Sequence, residues 1–228
     1  MDSSEKAALE HFLEILGVDL KKLTVGGGKL MLISGGSCSG KSSMARRLAD
    51  YAPQFRMLNT GDFFREEAGK MGLSVGELTK IKSKDLMNLD IAVDRRVIKH
   101  LIETEECLVL TSRFVSIWHL MLDGVGKPNL SIALRVEPEE KMRRMAFREF
   151  EKPVSDLSRE ELLKLNEELR RDDRDTERYL GLYGLDPRSF SKYSNTIDTT
   201  NIGEEEVWGM VKRLADKFLY EGMKYGPA

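Results

Sequence analysis

The chain has 228 residues, 41% of them hydrophobic and 32% charged, and its 36 basic and 38 acidic side chains leave a formal net charge of −2. That is the profile of a globular chain with room for one α/β domain and a small inserted subdomain; it argues against a disordered chain and, lacking a basic excess, against a nucleic-acid binder. No apolar run approaches the roughly 18–20 residues of a membrane span, Met1 to Lys6 lead into an amphipathic stretch rather than a secretory signal, and Cys38, Cys107 and three histidines lack disulfide or metal-site spacing.

Residues Ala7 to Leu16 place Ala8, Leu9, Phe12, Leu13, Ile15 and Leu16 on one side of a helix that ends at Gly17. This helix opens a predicted N-terminal extension, residues 1–28, which ends in the turn Gly26-Gly27-Gly28 and is expected to pack as an extra helix on a sheet. Apolar strands are predicted at Leu30 to Ile33, Phe55 to Leu58, Cys107 to Leu110, Ser131 to Val136 and Tyr193 to Ile197, with helical stretches between them. Short apolar strands alternating with helices indicate a parallel sheet covered on both faces. The fold class is therefore α/β, a three-layer sandwich around a five-stranded parallel sheet, with residues 29–228 as one domain. Between the second and third strands, residues 62–104 read as an all-helical insert, longer than a simple crossover needs. Pro138 with Glu139 and Glu140 opens one helix, Ser158 with Glu161 forms a capping-box pattern, and Asn201 with Glu204 precedes the last helix. Residues 149–158, with Pro153, form a candidate lid.

The strongest chemical signal is Gly35-Gly36-Ser37-Cys38-Ser39-Gly40-Lys41-Ser42, followed by Ser43: a complete G-x-x-x-x-G-K-S/T pattern between a strand and a helix. Glycines let such a loop turn its N–H groups inward on a phosphate, and the helix N-terminus adds favourable potential. Lys41 is expected to reach the β- and γ-phosphates of ATP, and the Ser42 hydroxyl to join the shell of Mg²⁺. No N/T-K-x-D guanine-reading element is present, and no acidic strand of the kind an oligomeric ATPase carries.

Beyond that loop stands an ordered series of arginines. Asn59-Thr60-Gly61-Asp62-Phe63-Phe64-Arg65 resembles the T/S-G-x-x-x-R element of nucleoside monophosphate kinases. Arg171-x₃-Asp175-x₂-Arg178 resembles the R-D-x-x-D-x-x-R signature of cytidylate kinases. Asp90-x₃-Asp94-Arg95-Arg96, Arg144 to Glu149 and Tyr183-Gly184-Leu185-Asp186 are similar to the shorter, archaeal-type cytidylate kinases, the resemblance spanning about residues 29–220. It implies transfer of the γ-phosphoryl of ATP, with Mg²⁺, to CMP or dCMP in the cytoplasm. The implied substrate residues are Thr60, Gly61, Arg65, Asp94, Arg113, Arg171, Asp175 (toward the ribose) and Arg178, with Lys41, Arg144 and Arg148 catalytic, the last two arriving with the lid. It implies small-molecule nucleotides as partners, no nucleic acid or membrane, and a monomer, with a dimer left open. One departure is plain: where the family ends its third strand D/E-G-R, this chain has Thr111-Ser112-Arg113, so a carboxylate expected near the metal's water is replaced by Thr111, with Asp62 as a possible substitute. Two alternatives stay open: an adenylate-kinase-like enzyme, or a P-loop nucleotide-binding protein with weak turnover.

Overall fold

The computed structural model describes residues 3–70, 72, 83–112, 115–184, 186, 193 and 195–221. Its sheet has five strands, β1 (Leu30–Gly35), β2 (Phe55–Asn59), β3 (Cys107–Ser112), β4 (Asn129–Arg135) and β5 (Asn195–Asp198), in the order β2-β3-β1-β4-β5. Every neighbouring pair is parallel; Leu30, for example, stands between Leu108 and Asn129. The expected five-stranded parallel sheet is present. Helix α1 (Ser3–Leu16) precedes it, and α2 (Lys41–Tyr51), α3 (Thr60–Lys70), α4 (Ser83–Glu103), α5 (Ser116–Gly124), α6 (Pro138–Phe150), α7 (Arg159–Tyr183) and α8 (Glu204–Glu221) connect and cover the strands.

Side chains alternate between the faces of a strand, so a strand covered on both sides is apolar throughout. In β1, Leu30 and Leu32 join a core built with α1, α4 and α5, whereas Met31 and Ile33 join a second core built with α2 and α8. All four are fully buried. Such burial stabilises by about 1.5–3 kcal/mol per large aliphatic side chain, which makes the central strand a strong organiser of the loop that follows it.

Local chemistry sets the helix ends. Ser158 Oγ accepts from the Glu161 N–H at 3.2 Å, and the Ser158 N–H donates to the Glu161 carboxylate at 2.8 Å, so the predicted capping box forms. Helix α7 ends at Gly184, whose φ of +67° supplies the left-handed cap. Helix α2 begins at Lys41, directly after Gly40 turns the chain with φ +91°. Helix α3 likewise starts at Thr60, directly off β2. The insert contains α3 and α4; its expected helicity over 71 and 73–82 lies outside the described residues.

Helix α1 packs against α4, α5 and α7, in the core that also takes Leu30 and Leu32 of β1. Phe12 and Leu16 are fully buried, and the Phe12 ring meets Tyr183 of α7 edge-on at 4.8 Å. Arg95 of α4 donates through Nε to the Leu16 carbonyl at 2.5 Å, placing a cation at the C-terminal end of α1. The glycine turn lies against the α4–β3 connection, where a Cβ on Gly28 would stand 2.0 Å from the Glu106 carbonyl. The buried Lys127 amine bridges the carbonyls of Gly26 and Thr104 at 2.5 and 2.6 Å.

Candidate active site

The C-terminal ends of parallel strands are where α/β sheets bind ligands. At the end of β1 the loop from Gly35 to Gly40 curls back over the strand. A Cβ at Gly35 would lie 2.3 Å from Ser39 Oγ and 2.6 Å from the Leu134 carbonyl, so the turn admits only glycine there. Cys38 takes φ +59°, an uncommon conformation for a residue with a side chain. Burial pushes its thiol pKa up, against the opposing pull of Arg148 and Lys41. Lys41 Nζ donates to the Gly36 carbonyl at 3.1 Å, holding the amine over the loop.

The residues fit a nucleotide phosphate and its metal. Ser42, in the first turn of α2, is exposed, and its hydroxyl has no hydrogen-bond partner among the described residues. No cluster of three or more His, Cys, Asp or Glu that could hold a metal ion by itself occurs among the described residues. A hard cation at Ser42 would take further oxygen ligands of the kind that phosphates and water give Mg²⁺.

Beside the loop opens a cavity of about 460 Å³, lined by Cys38, Gly40, Ser43, Arg144, Thr199 and Asn201 among others. Arg144 is fixed in its wall: Nε donates to Glu140 at 2.7 Å, Nη1 to Thr199 Oγ1 at 3.1 Å, and Nη2 to the Thr199 carbonyl. Hydrogen bonds from Arg143 and then Arg144 hold the Glu140 carboxyl down at about 2. Arg144 is thus tied to the loop after β5. Arg148, one turn on, is exposed and paired with Glu149 at 2.7 Å. Residues 149–158 close a hairpin between α6 and α7 with its own small core of Met145, Ala146, Leu157 and Leu165, against which Cys38 packs.

Helix α7 runs from that hairpin across the P-loop. Asp172 accepts from the Ser37 N–H at 2.8 Å and from Ser37 Oγ at 2.9 Å, and pairs with Lys141 of α6 at 2.6 Å. Farther along α7, Arg178 donates through Nε to Asp90 of α4 at 2.5 Å and through Nη1 to Asp175 at 2.8 Å. The expected acceptor residues are therefore placed unevenly. Thr60 Oγ1 bonds the Thr111 carbonyl at 3.2 Å at the end of β3, and the Gly61 N–H bonds Asn59 at 3.0 Å. Arg65 is exposed and contacts Asp62. Asp94, expected to touch substrate, is instead buried at 3% exposure and receives the Tyr183 hydroxyl at 2.6 Å. Burial pushes its pKa up to about 8. Arg113 lies outside the described residues, and so does the side chain of Arg171.

Several neighbours escape a reading by motif. Thr199 follows a short strand as an ordinary polar residue, and Asn201 reads only as a helix start with Glu204; neither pattern points to the cavity they line. Asp172 stands inside the R-D-x-x-D-x-x-R pattern, but its partner Ser37 is 135 residues away. Asp90 and Asp94 did carry a signal: Leu89, Asp90, Val93, Asp94, Val97, Ile98, Leu101 and Ile102 form one buried stripe of α4.

A family model described as an AAA domain matches residues 34–175. The chain is 31% identical to a curated cytidylate kinase of Pyrococcus abyssi, covering 84% of this chain and 96% of that protein. It is 30% identical to one of Methanopyrus kandleri, covering 83% and 94%. The fold is shared with a shikimate kinase of Bacteroides thetaiotaomicron, at TM-score 0.51 and 14% identity over 85% of this chain and 98% of the other.

Proposed function

The chain belongs to the cytidylate kinase family and, over residues 34–175, to the AAA-domain family, and from that premise we propose that it transfers the γ-phosphoryl group of ATP to CMP or dCMP. The supporting observation is the union of a P-loop with an arginine-bearing helix: Asp172 ties α7 to Ser37, so Asp175 and Arg178 stand on the helix that crosses the phosphate loop.

Phosphoryl transfer asks a protein chiefly for in-line positioning and for neutralisation of charge on the migrating group. Backbone N–H groups of Ser39 to Ser42 and the N-terminus of α2 cradle the donor phosphates, and Lys41 supplies a fixed cation beside them. The Ser42 hydroxyl, together with the donor phosphates, would hold Mg²⁺, which would supply further positive charge against the phosphate oxygens. The donor nucleoside occupies the cavity beside Arg144 and Thr199. Arg65, Arg113, Arg171 and Arg178 hold the acceptor phosphate, because guanidinium forks match its oxygens in pairs, and Asp175 accepts from the ribose. Arg148, exposed at the hinge of the α6–α7 hairpin, reaches the phosphates as the hairpin closes and water is excluded. These are small soluble substrates, in keeping with work in the cytoplasm. Among the described residues no helix is long and apolar enough to cross a membrane.

The test is ADP formation from ATP and Mg²⁺ against AMP, CMP, dCMP, UMP and GMP. CMP or dCMP is expected to give the highest kcat/KM. A preference for AMP, or nucleotide binding with no turnover on any acceptor, would replace this function by one of the two alternatives.

A further inference from the structure

The geometry points to Asp90 as a positioning residue: from the helical insert it fixes the Arg178 guanidinium so that the unused side of the fork faces the acceptor phosphate. Asp90 is 2% exposed on α4, and Arg178 reaches it from α7, so the contact joins two elements far apart in the chain. Nε is committed to Asp90 at 2.5 Å and Nη1 to Asp175 at 2.8 Å, while the Tyr179 ring lies 5.5 Å from the guanidinium carbon. Arginine has five N–H donors in a rigid plane. Two are used here, and Nη2 has no partner among the described residues. The free end of the fork, Nη2 with the second Nη1 hydrogen, is the pair that can grip a phosphate bidentately.

Asp94, one turn away, does not share this task. It bonds the Tyr183 hydroxyl at 2.6 Å, and burial keeps its carboxyl protonated up to about pH 8. Asp90 is also raised by burial, but Arg178 pulls it back toward the charged form. One carboxylate charge on α4 therefore meets one guanidinium on α7. Because Asp90 belongs to the insert, the aim of Arg178 follows the position of α4.

Since Arg178 serves the acceptor phosphate only under the function proposed above, the test separates the two ideas. KM values for CMP and for ATP are measured with Asp90→Asn, Asp90→Glu, Arg178→Ala and the Arg178→Ala/Asp90→Asn pair, alongside thermal midpoints. Asp90→Asn is expected to raise KM for CMP about 10- to 100-fold, the range for a lost charged hydrogen bond, with KM for ATP within about 2-fold. Asp90→Glu, which keeps the charge on a longer arm, is expected to recover part of that loss. In the Arg178→Ala background Asp90→Asn should add nothing. A folded Asp90→Asn protein with unchanged KM for CMP, while Arg178→Ala raises it, overturns the positioning role alone. If Arg178→Ala itself leaves KM for CMP unchanged, the acceptor-site assignment fails with it. Should Asp90→Asn not fold, Asp90→Glu decides: a several-fold rise in KM for CMP in a folded protein upholds the role, and an unchanged value overturns it.

Discussion

Replacing Asp172 by alanine removes three contacts at once: the P-loop's two hydrogen bonds, from the Ser37 N–H at 2.8 Å and from Ser37 Oγ at 2.9 Å, and the ion pair with Lys141 of α6 at 2.6 Å. The Asp172 and Lys141 side chains are only 12% and 16% exposed, so water replaces these bonds poorly. A hydrogen bond to a charged group contributes about 1.5–3 kcal/mol, and bonds sharing one carboxylate do not add in full, so we expect a loss of about 3 kcal/mol. For a chain of this length each kcal/mol shifts the thermal midpoint by about 2–4 °C, giving a fall of about 6–12 °C. The assay is urea or thermal unfolding of nucleotide-free protein, because bound ATP would stabilise the native state by mass action and mask the effect. Asp172→Asn, which keeps one acceptor oxygen but loses the charge toward Lys141, should fall between the two. A loss below about 0.5 kcal/mol, the scale of an ordinary surface substitution, would show that the carboxylate is solvated and that α7 is not tied to the loop.

Lys41→Ala should keep its fold and lower kcat by about 10²–10³ or more, the scale for losing one preorganised charge-stabilising group; near-normal turnover would remove Lys41 from the chemistry. Asp94 has a folded pKa of about 8 against 3.8 for an ordinary carboxylate, so its contribution to stability is fully present below about pH 4 and is lost as pH rises toward 8. Asp94→Asn cannot titrate, so its stability relative to wild type should improve steadily between pH 5 and 8; parallel unfolding midpoints over that range would refute the buried, protonated assignment. Phe12→Ala should cost about 3–5 kcal/mol, as for a fully buried aromatic. A cost under about 1 kcal/mol would mean that α1 is an appendage and not part of the main core.

What the sequence shows depends on how local the cause is. The strands of the sheet are legible because β1, β3 and β4 are buried on both faces and so are apolar almost throughout. The capping box at Ser158 is legible because both its bonds span three residues. The strand order is not, since nothing local tells β1 to lie between β3 and β4. At the site, the P-loop declares itself through glycine spacing, whereas Arg144 gives no hint that its partner is Thr199, 55 residues on. Asp94 illustrates how a pattern can leave packing unread. Its place in a family-like pattern suggests contact with substrate, yet it lies on the buried stripe of α4 and bonds Tyr183.

The contact between Phe12 and Tyr183 also bears on the order in which the protein can be made. Helix α1 is synthesised well before the aromatic partner that covers it, which comes at the end of α7. At about 5–20 residues per second, the interval between the two is on the order of 10–30 s. Through that interval Leu9, Phe12 and Leu16 form an apolar stripe whose final partner has not been synthesised. Completion of the first core is therefore a late event of translation, and until then helix α1 presents the kind of transient greasy surface that chaperones hold.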